Sequence, residues 1–349
     1  MKEYISFDSH KHYTLAEREN RRTSRTVQRR IDHAPGAIRD YLCPCEPGTP
    51  VAVEATGNWY WIIDEIEQAG LAPILVNPRK AKLMMGMINK TDKLDVHGLN
   101  RLQRNKTLPD VWIPPGSVRD LRELTRGRMV LSGQRTQLKN RIQATLSKYG
   151  LTMTGFSDAF GNAARRVMAE RVAQLPEHTR WSTNLVLDQI DALTLALAQI
   201  ESRLKELLKQ THVMQRLATL PGVGVILSSV IAFELGKIER FANAGRFASY
   251  SGTTPRVHSS GGKTRFGRLR PDVNRYLKWA FVEAANVVCL HHKRHPDRHV
   301  SKLYARLRQR RGHPKAIGAV ARHLAEAAYY VLKRDRVYRD PALGLATKT

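Results

Sequence analysis

Residues 50–76, PVAVEATGNWYWIIDEIEQAGLAPILV, predict the fold of the first part of the chain. The run Pro50–Glu54 is short and rich in β-branched residues, which is typical of a buried strand. The apolar-periodic segment Trp59–Ala69 predicts a helix that ends at Gly70, and Leu71–Val76 predicts the next strand. Strand, helix and strand in this order indicate a βαβ unit.

Three further strands are predicted before this unit. The run Lys2–Asp8 is a short alternation of apolar and polar residues that ends in an acid, and Thr14–Asn20 and Thr23–Arg29 continue it as a polar-faced meander. A meander followed by a βαβ unit predicts a mixed α/β domain with both faces of its sheet covered, as in the ribonuclease H fold. From Thr91 onward the strand signals stop, and we expect helices.

The middle of the chain has the clearest helical periodicity. Val118–Tyr149 is helical in period and rich in Arg and Lys. A second helix carries apolar residues at alternating spacings of four and three, namely Val186, Ile190, Leu193, Leu197, Ile200, Leu204 and Leu207. This seam spans about three heptads, which predicts a helical hairpin arm, a coiled coil, or a long helix packed on its own domain. The coiled-coil interpretation favours a homodimer or a homotetramer.

The C-terminal part predicts helices around two loops. Residues 220–224, LPGVG, separate two apolar helices, and a Gly/Ser/Thr/Arg-rich stretch covers Ser251–Arg270. Two further helices are expected over Val273–Leu290 and Val300–Arg334, the second of them interrupted at residues 312–314.

The charge of the chain limits its function. It has 349 residues with 58 Lys+Arg against 31 Asp+Glu, a formal net charge of +27. This excess disfavours an ordinary small-metabolite enzyme and favours a polyanionic partner, nucleic acid first. No stretch of about 18 apolar residues and no signal-peptide core is found, so we expect a cytoplasmic, nucleoid-associated protein with no membrane contact.

Four acids are the candidate catalytic residues. Asp8 and Glu54 end predicted strands, and Asp92 and Asp95 open a predicted helix on one face. If the two strands are neighbours, the four carboxylates converge and suit Mg²⁺, with Mn²⁺ as the alternative, because no His or Cys belongs to the set. The alternative is that the acids have no catalytic role. Asp92 and Asp95 would then be acids favoured by the helix dipole, and Asp8 and Glu54 would be ordinary polar residues at strand ends.

A serine in a basic stretch is the second candidate. Ser260 precedes Gly261 and Gly262 and is surrounded by cations that suit phosphate oxygens. These cations are Arg256, Lys263, Arg265, Arg268 and Arg270. Two interpretations are open for this stretch. Either Ser260 is a nucleophile on a flexible backbone, or the stretch is a solvated basic loop that only contacts phosphate.

Two other motifs have open interpretations. Gly222 and Gly224 resemble a helix-hairpin-helix turn, in which backbone N–H groups approach a phosphate, or they form a turn between core helices. His291, His292, His295 and His299 form a cluster, for which an exposed basic patch is favoured over a metal site.

Several motifs occur in order along the chain, namely FDSHK around Asp8, VEATGNW around Glu54, NPRKAK, KTDKLDVHGL around Asp92 and Asp95, LPGVG, and FASYSGTTPRVHSSGG at residues 247–262. Together they resemble the motifs of the insertion-sequence transposases of the IS110 type. The resemblance covers about residues 4–110 and 214–335 in order. The sequence departs from the family pattern where Ser6-Phe7-Asp8 replaces the more usual Gly-Ile-Asp, and in its unusually basic meander.

The resemblance implies a bridge-RNA-guided serine recombinase. It assigns residues 1–112 to a RuvC-like domain with a Mg²⁺-binding DEDD set of Asp8, Glu54, Asp92 and Asp95. It assigns 113–211 to a helical and coiled-coil region, and 212–349 to a mainly helical transposase domain. The nucleophile aligns with Ser260, and Ser259 leaves this ambiguous by one position. The implied partners are donor and target DNA duplexes and a guide RNA.

Two other functions fit the same residues. One is a Mg²⁺-dependent RuvC-like junction nuclease whose C-terminal region only binds. The other is a nucleic-acid-binding protein without catalysis, whose acids are structural.

Overall fold

The computed structural model describes residues 3–86, 91–269 and 273–341. The chain forms two compact units, residues 1–114 and residues 115–349. Each unit is described by itself.

A six-stranded sheet forms the centre of the first unit, in the order β3-β2-β1-β4-β5-β6. β1 pairs antiparallel with β2 and parallel with β4, and β4 pairs parallel with β5. The strands are β1 Glu3–Ser9, β2 Tyr13–Asn20, β3 Thr26–Asp32, β4 Pro50–Glu54, β5 Ala72–Val76 and β6 Asp110–Val111. The predicted meander and βαβ unit are therefore confirmed as secondary structure.

Helices cover both faces of this sheet. They are α1 Ala37–Leu42, α2 Trp59–Gln68, α3 Pro78–Met85 and α4 Asp92–Arg104. One core contains Ile5, Phe7 and Val53 with residues of α1 and α2, and a second contains Ala52 and Val76 with residues of α3 and α4. Alternate residues of β4 thus serve opposite cores, as the two-residue period of a strand requires.

The third strand differs from its prediction. It begins at Thr26, three residues later than expected, because residues 21–25 form the turn after β2. Asn20 Oδ1 accepts hydrogen bonds from the backbone N–H groups of Arg22 and Thr23. Ser24 has a positive φ of 53°, which a strand residue does not adopt.

The second unit is mainly helical. Its helices are α5 Gly116–Lys148, α6 Arg165–Ala173, α7 Glu177–Gln210, α8 His212–Leu217, α9 Val225–Leu235, α10 Ala244–Tyr250, α11 Arg275–His291, α12 His299–Arg311 and α13 His313–Lys333. The large core joins residues of α7–α13, including Phe247, Phe281 and Tyr304. No helix within the described ranges is long and apolar enough to cross a membrane.

The heptad seam of α7 is filled by the chain itself. Ile190, Leu197 and Leu204 are buried at seven-residue intervals, and α7 packs against α5 and α9. Ile190 joins a core with Ile142 of α5, and Leu204 joins the large core. The seam is therefore covered by helices of the same chain, and α7 pairs antiparallel with α5, as Arg128 with Glu201 and Arg135 with Thr194 show. This agrees with the hairpin and own-domain interpretations, and the seam no longer supports a homodimer or a homotetramer.

The expectation that strands end before Thr91 is wrong. β6 is one exception, and β7 Pro255–Ser260 and β8 Lys263–Leu269 form a two-stranded hairpin in the second unit. The predicted loop Ser251–Arg270 is thus largely a β-ribbon. Its two-residue turn, Gly261-Gly262, has φ of 55° and 74°, which fits the primed turns that join twisted strands.

A buried carboxylate connects three helices of the second unit. Glu234 of α9 is fully buried and accepts hydrogen bonds from Arg126 Nε at 2.8 Å and Asn274 Nδ2 at 2.8 Å. Arg122 of α5 donates to the backbone carbonyls of Phe233 and Glu234 at 2.9 and 2.8 Å, which satisfies the C-terminus of α9.

Candidate active site

Two of the predicted acids lie at the same edge of the sheet. Asp8 is near the end of β1, and Glu54 ends the parallel neighbour β4. Phe7 pairs with Val53, so Asp8 and Glu54 occupy adjacent register positions. The Asp8 side chain is buried, whereas Glu54 is half-buried.

The other two acids are in the first turn of α4. The Thr91 side chain caps this helix by accepting a hydrogen bond from Leu94 N at 3.3 Å. Asp92 and Asp95 follow the cap, where the helix dipole favours negative charge.

Polar contacts hold α4 along β1. Ser6 Oγ donates to the Val96 carbonyl at 2.9 Å, and Asn100 Nδ2 donates to the Tyr4 carbonyl at 3.3 Å. The helix therefore runs antiparallel to the strand, and its N-terminus lies over the end of β1.

The carboxylates of Asp8 and Asp92 meet at the ring of His10. His10 Nε2 lies 3.2 Å from Asp8 Oδ2 and 3.3 Å from Asp92 Oδ2. Ligand atoms of these three residues all lie within 4.8 Å of one another, and they form the one such His/Cys/Asp/Glu group within the described ranges. A histidine therefore lies among the predicted acids, which was not expected from the sequence.

Burial and charge act together on Asp8. Burial raises the pKa of its carboxyl, the neighbouring His10 opposes this shift, and Asp92 and Asp95 raise it further. Asp95 is thus close enough to act electrostatically on Asp8. Charges of one sign are crowded at a desolvated position, which a bound cation would relieve.

The residues present fit a divalent cation. His10 Nε2 is shielded from solvent and has a carboxylate oxygen of Asp8 and one of Asp92 within 3.3 Å. The remaining donors are carboxylate oxygens, which are the ligands that Mg²⁺ and Mn²⁺ take in proteins.

Sequence reasoning missed His10 and Tyr13. Tyr13 begins β2, donates from its hydroxyl to Asp92 Oδ2 at 2.8 Å, and lies 4.6 Å from the His10 ring. Arg30 of β3 lies 3.9 Å above the Tyr13 ring. The available signal was the segment Asp8-Ser-His10, because residues two positions apart in extended backbone lie on the same face.

The basic hairpin has two chemically different faces. Ser260 pairs with Lys263, and His258 pairs with Arg265, so these four residues share one face. The opposite face carries the pairs Ser259–Thr264 and Val257–Phe266. The Ser259 and Thr264 hydroxyl oxygens are 3.3 Å apart, which agrees with this arrangement.

The candidate phosphate-binding residues lie along this ribbon. Arg256, Lys263, Arg265 and Arg268 are exposed, and residues 255–269 contain no acid. Arg270 lies outside the described residues. Ser260 is exposed at the end of β7, next to the glycine turn.

The two glycines of LPGVG have different surroundings. Gly222 has a φ of +76°, and a Cβ there would lie 2.3 Å from the Ala284 carbonyl oxygen of α11. Gly224 precedes α9, is exposed, and has no atom within 4 Å of a Cβ position. A side chain at position 222 would therefore disturb the packing between helices, whereas position 224 has space for one.

The histidine cluster is divided between two helices. His291 ends α11, and His299 begins α12, so these two residues do not share one helix. His292 Nδ1 donates to the Cys289 carbonyl at 2.6 Å.

Comparisons with known proteins agree with this geometry. A profile of IS110-type DEDD transposases matches residues 8–151, and a profile described as the transposase IS116/IS110/IS902 family matches residues 214–301. A probable family 20 transposase of Pseudomonas aeruginosa is 26% identical over 306 residues, covering 86% of this chain and 89% of that protein. The transposase for insertion sequence element IS1111A of Coxiella burnetii is 26% identical over 292 residues, covering 83% and 79%.

The mixed sheet, its acidic edge and the first match define the class of the protein, a DEDD transposase. The second match lies in the helical unit. The chain belongs to the IS110/IS116/IS902 family of insertion-sequence transposases.

Proposed function

We propose that this transposase cuts and rejoins DNA with Ser260 as nucleophile and with a divalent-metal site formed by Asp8, Glu54, Asp92 and Asp95. The observation that carries the proposal is the convergence of Asp8 and Asp92 on one point, 3.2 and 3.3 Å from His10 Nε2, although they are far apart in the sequence.

The proposed domains follow from the same assignment. Residues 1–112 form a RuvC-like domain of the ribonuclease H type, residues 113–211 a helical linker region, and residues 212–349 the transposase domain. The strand order, with a meander beside a parallel βαβ unit, supports the first assignment.

Mg²⁺ is the proposed cofactor, with Mn²⁺ as the alternative. Asp8 would be held at the centre of the site, because it is buried against charges of its own sign. A divalent cation bound there neutralises charge that develops on phosphate oxygens during phosphoryl transfer.

Ser260 is favoured over Ser259 as the nucleophile. Ser260 shares its face with His258, Lys263 and Arg265, whereas Ser259 shares its face with an apolar pair and lies beside the Thr264 hydroxyl. A serine that attacks phosphate needs cations around it, and the Ser260 face supplies them.

The proposed step exchanges one phosphodiester for another. The bond from Ser260 Oγ to phosphorus forms, the bond from phosphorus to O3′ breaks, and the serine proton ends on O3′. The product is a 5′-phosphoserine link, whose reversal on a second DNA end rejoins the strands without a high-energy cofactor.

The proposed partners are donor and target DNA duplexes and a guide RNA. The exposed cations of the hairpin and the formal net charge of +27 support sequence-independent contact with phosphate. RNA guidance and assembly into a homodimer or a homotetramer are supported by the family resemblance alone.

Two substitutions test the proposal. We expect Asp8→Asn and Ser260→Ala each to abolish recombination of a DNA substrate carrying the element ends, supplied with its guide RNA. Ser260→Ala should also remove the covalent protein–DNA adduct seen on denaturing gels, whereas the matched control Ser259→Ala should keep it.

Other outcomes support the alternatives. Cleavage that survives Ser260→Ala with no adduct in the wild type indicates a metal-dependent junction nuclease. Full activity of Asp8→Asn contradicts a catalytic metal site at this edge of the sheet.

A further inference from the structure

The ring of His10 is held in place at the acidic cluster. Tyr13 stacks against it with ring centroids 4.6 Å apart, and Asn58 Nδ2 donates to the His10 backbone carbonyl at 2.7 Å. Thr56 Oγ1 in turn donates to Asn58 Oδ1 at 2.9 Å. The loop after β4 therefore positions the loop after β1, and with it the imidazole.

The imidazole nitrogen of His10 lies between two carboxylates. Nε2 is 3.2 Å from Asp8 Oδ2 and 3.3 Å from Asp92 Oδ2, and this atom is shielded from solvent. A nitrogen atom fixed beside two carboxylate oxygens is an arrangement in which all three groups can coordinate one cation.

The neighbouring groups leave room for this role. Tyr13 donates to Oδ2 of Asp92, and a carboxylate has two oxygens with several lone pairs, so this hydrogen bond does not prevent Asp92 from binding a cation. The ligand atoms of Asp8, His10 and Asp92 lie within 4.8 Å of one another, close enough to share a single cation.

We propose that His10 is a nitrogen ligand of the divalent-metal site, which raises the affinity of the site for Mn²⁺ relative to Mg²⁺. Carboxylate oxygens serve both ions, but Mg²⁺ takes oxygen ligands, whereas first-row transition metals bind imidazole more strongly. This inference rests on the proposed metal site and adds the identity of one ligand and the ion that it selects.

The experiment measures metal binding directly, with no reaction involved. The full chain, freed of metal, is titrated with Mn²⁺ and followed by electron paramagnetic resonance. Electron spin-echo envelope modulation then reports whether a nitrogen-14 nucleus is coordinated. We expect nitrogen modulation in the wild type and its loss in His10→Ala.

A matched control lies two residues away. His12 is exposed in the same loop, so His12→Ala should keep both the Mn²⁺ affinity and the nitrogen modulation. Competition with Mg²⁺ gives the selectivity, and we expect the ratio of Mn²⁺ to Mg²⁺ affinity to fall at least about tenfold in His10→Ala. His10→Gln provides a second variant if His10→Ala fails to fold.

The outcomes separate the two proposals. Mn²⁺ binding without nitrogen modulation in the wild type, with an unchanged affinity ratio in His10→Ala, overturns the role of His10 and leaves the acidic metal site standing. If the wild type binds Mn²⁺ no more tightly than Asp8→Asn does, the proposed metal site itself is overturned.

Discussion

Replacing Gly222 by alanine should destabilise the helical unit rather than weaken nucleic-acid binding alone. The residue has a φ of +76°, and its Cβ would lie 2.3 Å from the Ala284 carbonyl oxygen. The left-handed conformation costs an L-residue about 1–2 kcal/mol, and overpacking adds about 1–3 kcal/mol. The expected loss is therefore about 2–5 kcal/mol, or about 4–20 °C in Tm for a unit of this size.

Thermal unfolding followed by circular dichroism measures this loss, and DNA binding is measured on the same samples below the transition. The matched control is Gly224→Ala, where φ is −100° and no atom lies within 4 Å of the new methyl group. Its cost should stay below about 1 kcal/mol, since only the N-cap preference changes. If Gly222→Ala melts like the wild type and loses DNA affinity, the packing argument is refuted and a phosphate contact at Gly222 is favoured.

Three further predictions concern other parts of the second unit. Burial lowers the pKa of His323, and neighbouring His299 lowers it further. The unfolded chain therefore binds more protons than the native state, and the stability of the native state falls as pH drops below about 6.5. His323→Gln should flatten this part of a plot of Tm against pH, and an unchanged slope would contradict the prediction. Glu234→Gln removes the buried negative charge that pairs with Arg122 and Arg126, so the free energy of unfolding measured in urea should fall by about 3–5 kcal/mol. The exposed control Glu239→Gln should change it by no more than about 0.5 kcal/mol. If Arg265 contacts a DNA phosphate, Arg265→Gln should reduce the slope of log DNA affinity against log salt concentration by about 0.9, and Arg265→Lys should restore it. Equal slopes for the wild type and both variants would show that this side chain does not contact the DNA phosphate backbone.

The sheet and its acidic edge could be predicted because both depend on local patterns. The strands of the βαβ unit are short, β-branched and bounded by Gly or Pro, and β4 begins and ends where its pattern does. Acids at the ends of neighbouring parallel strands meet by geometry alone. Only the pairing of β1 with β4 had to be assumed, and the sheet has it.

The features that the sequence did not reveal depend on tertiary contacts or lack an apolar pattern. His10 enters the acidic cluster because Tyr13 and Asn58 hold its loop, and neither contact has a sequence signal. The hairpin of β7 and β8 is exposed along nearly all of its length, so no buried face imposes alternation on its residues. The seam of α7 shows which side is buried, but not whether the covering helix belongs to the same chain.

The register of the hairpin decides which hydroxyl faces the cations. A strand that slips by one residue turns every side chain to the opposite face. Because no core holds β7 and β8, this register depends on the Gly261-Gly262 turn, the backbone pairing and cross-strand contacts such as that of Ser259 with Thr264. A one-residue slip of β7 along β8 would turn Ser260 away and bring Ser259 to the face of Lys263 and Arg265. Because Ser259 and Ser260 are adjacent, a one-residue change of register would change which serine lies on the basic face, and a serine hydroxyl would still be present there.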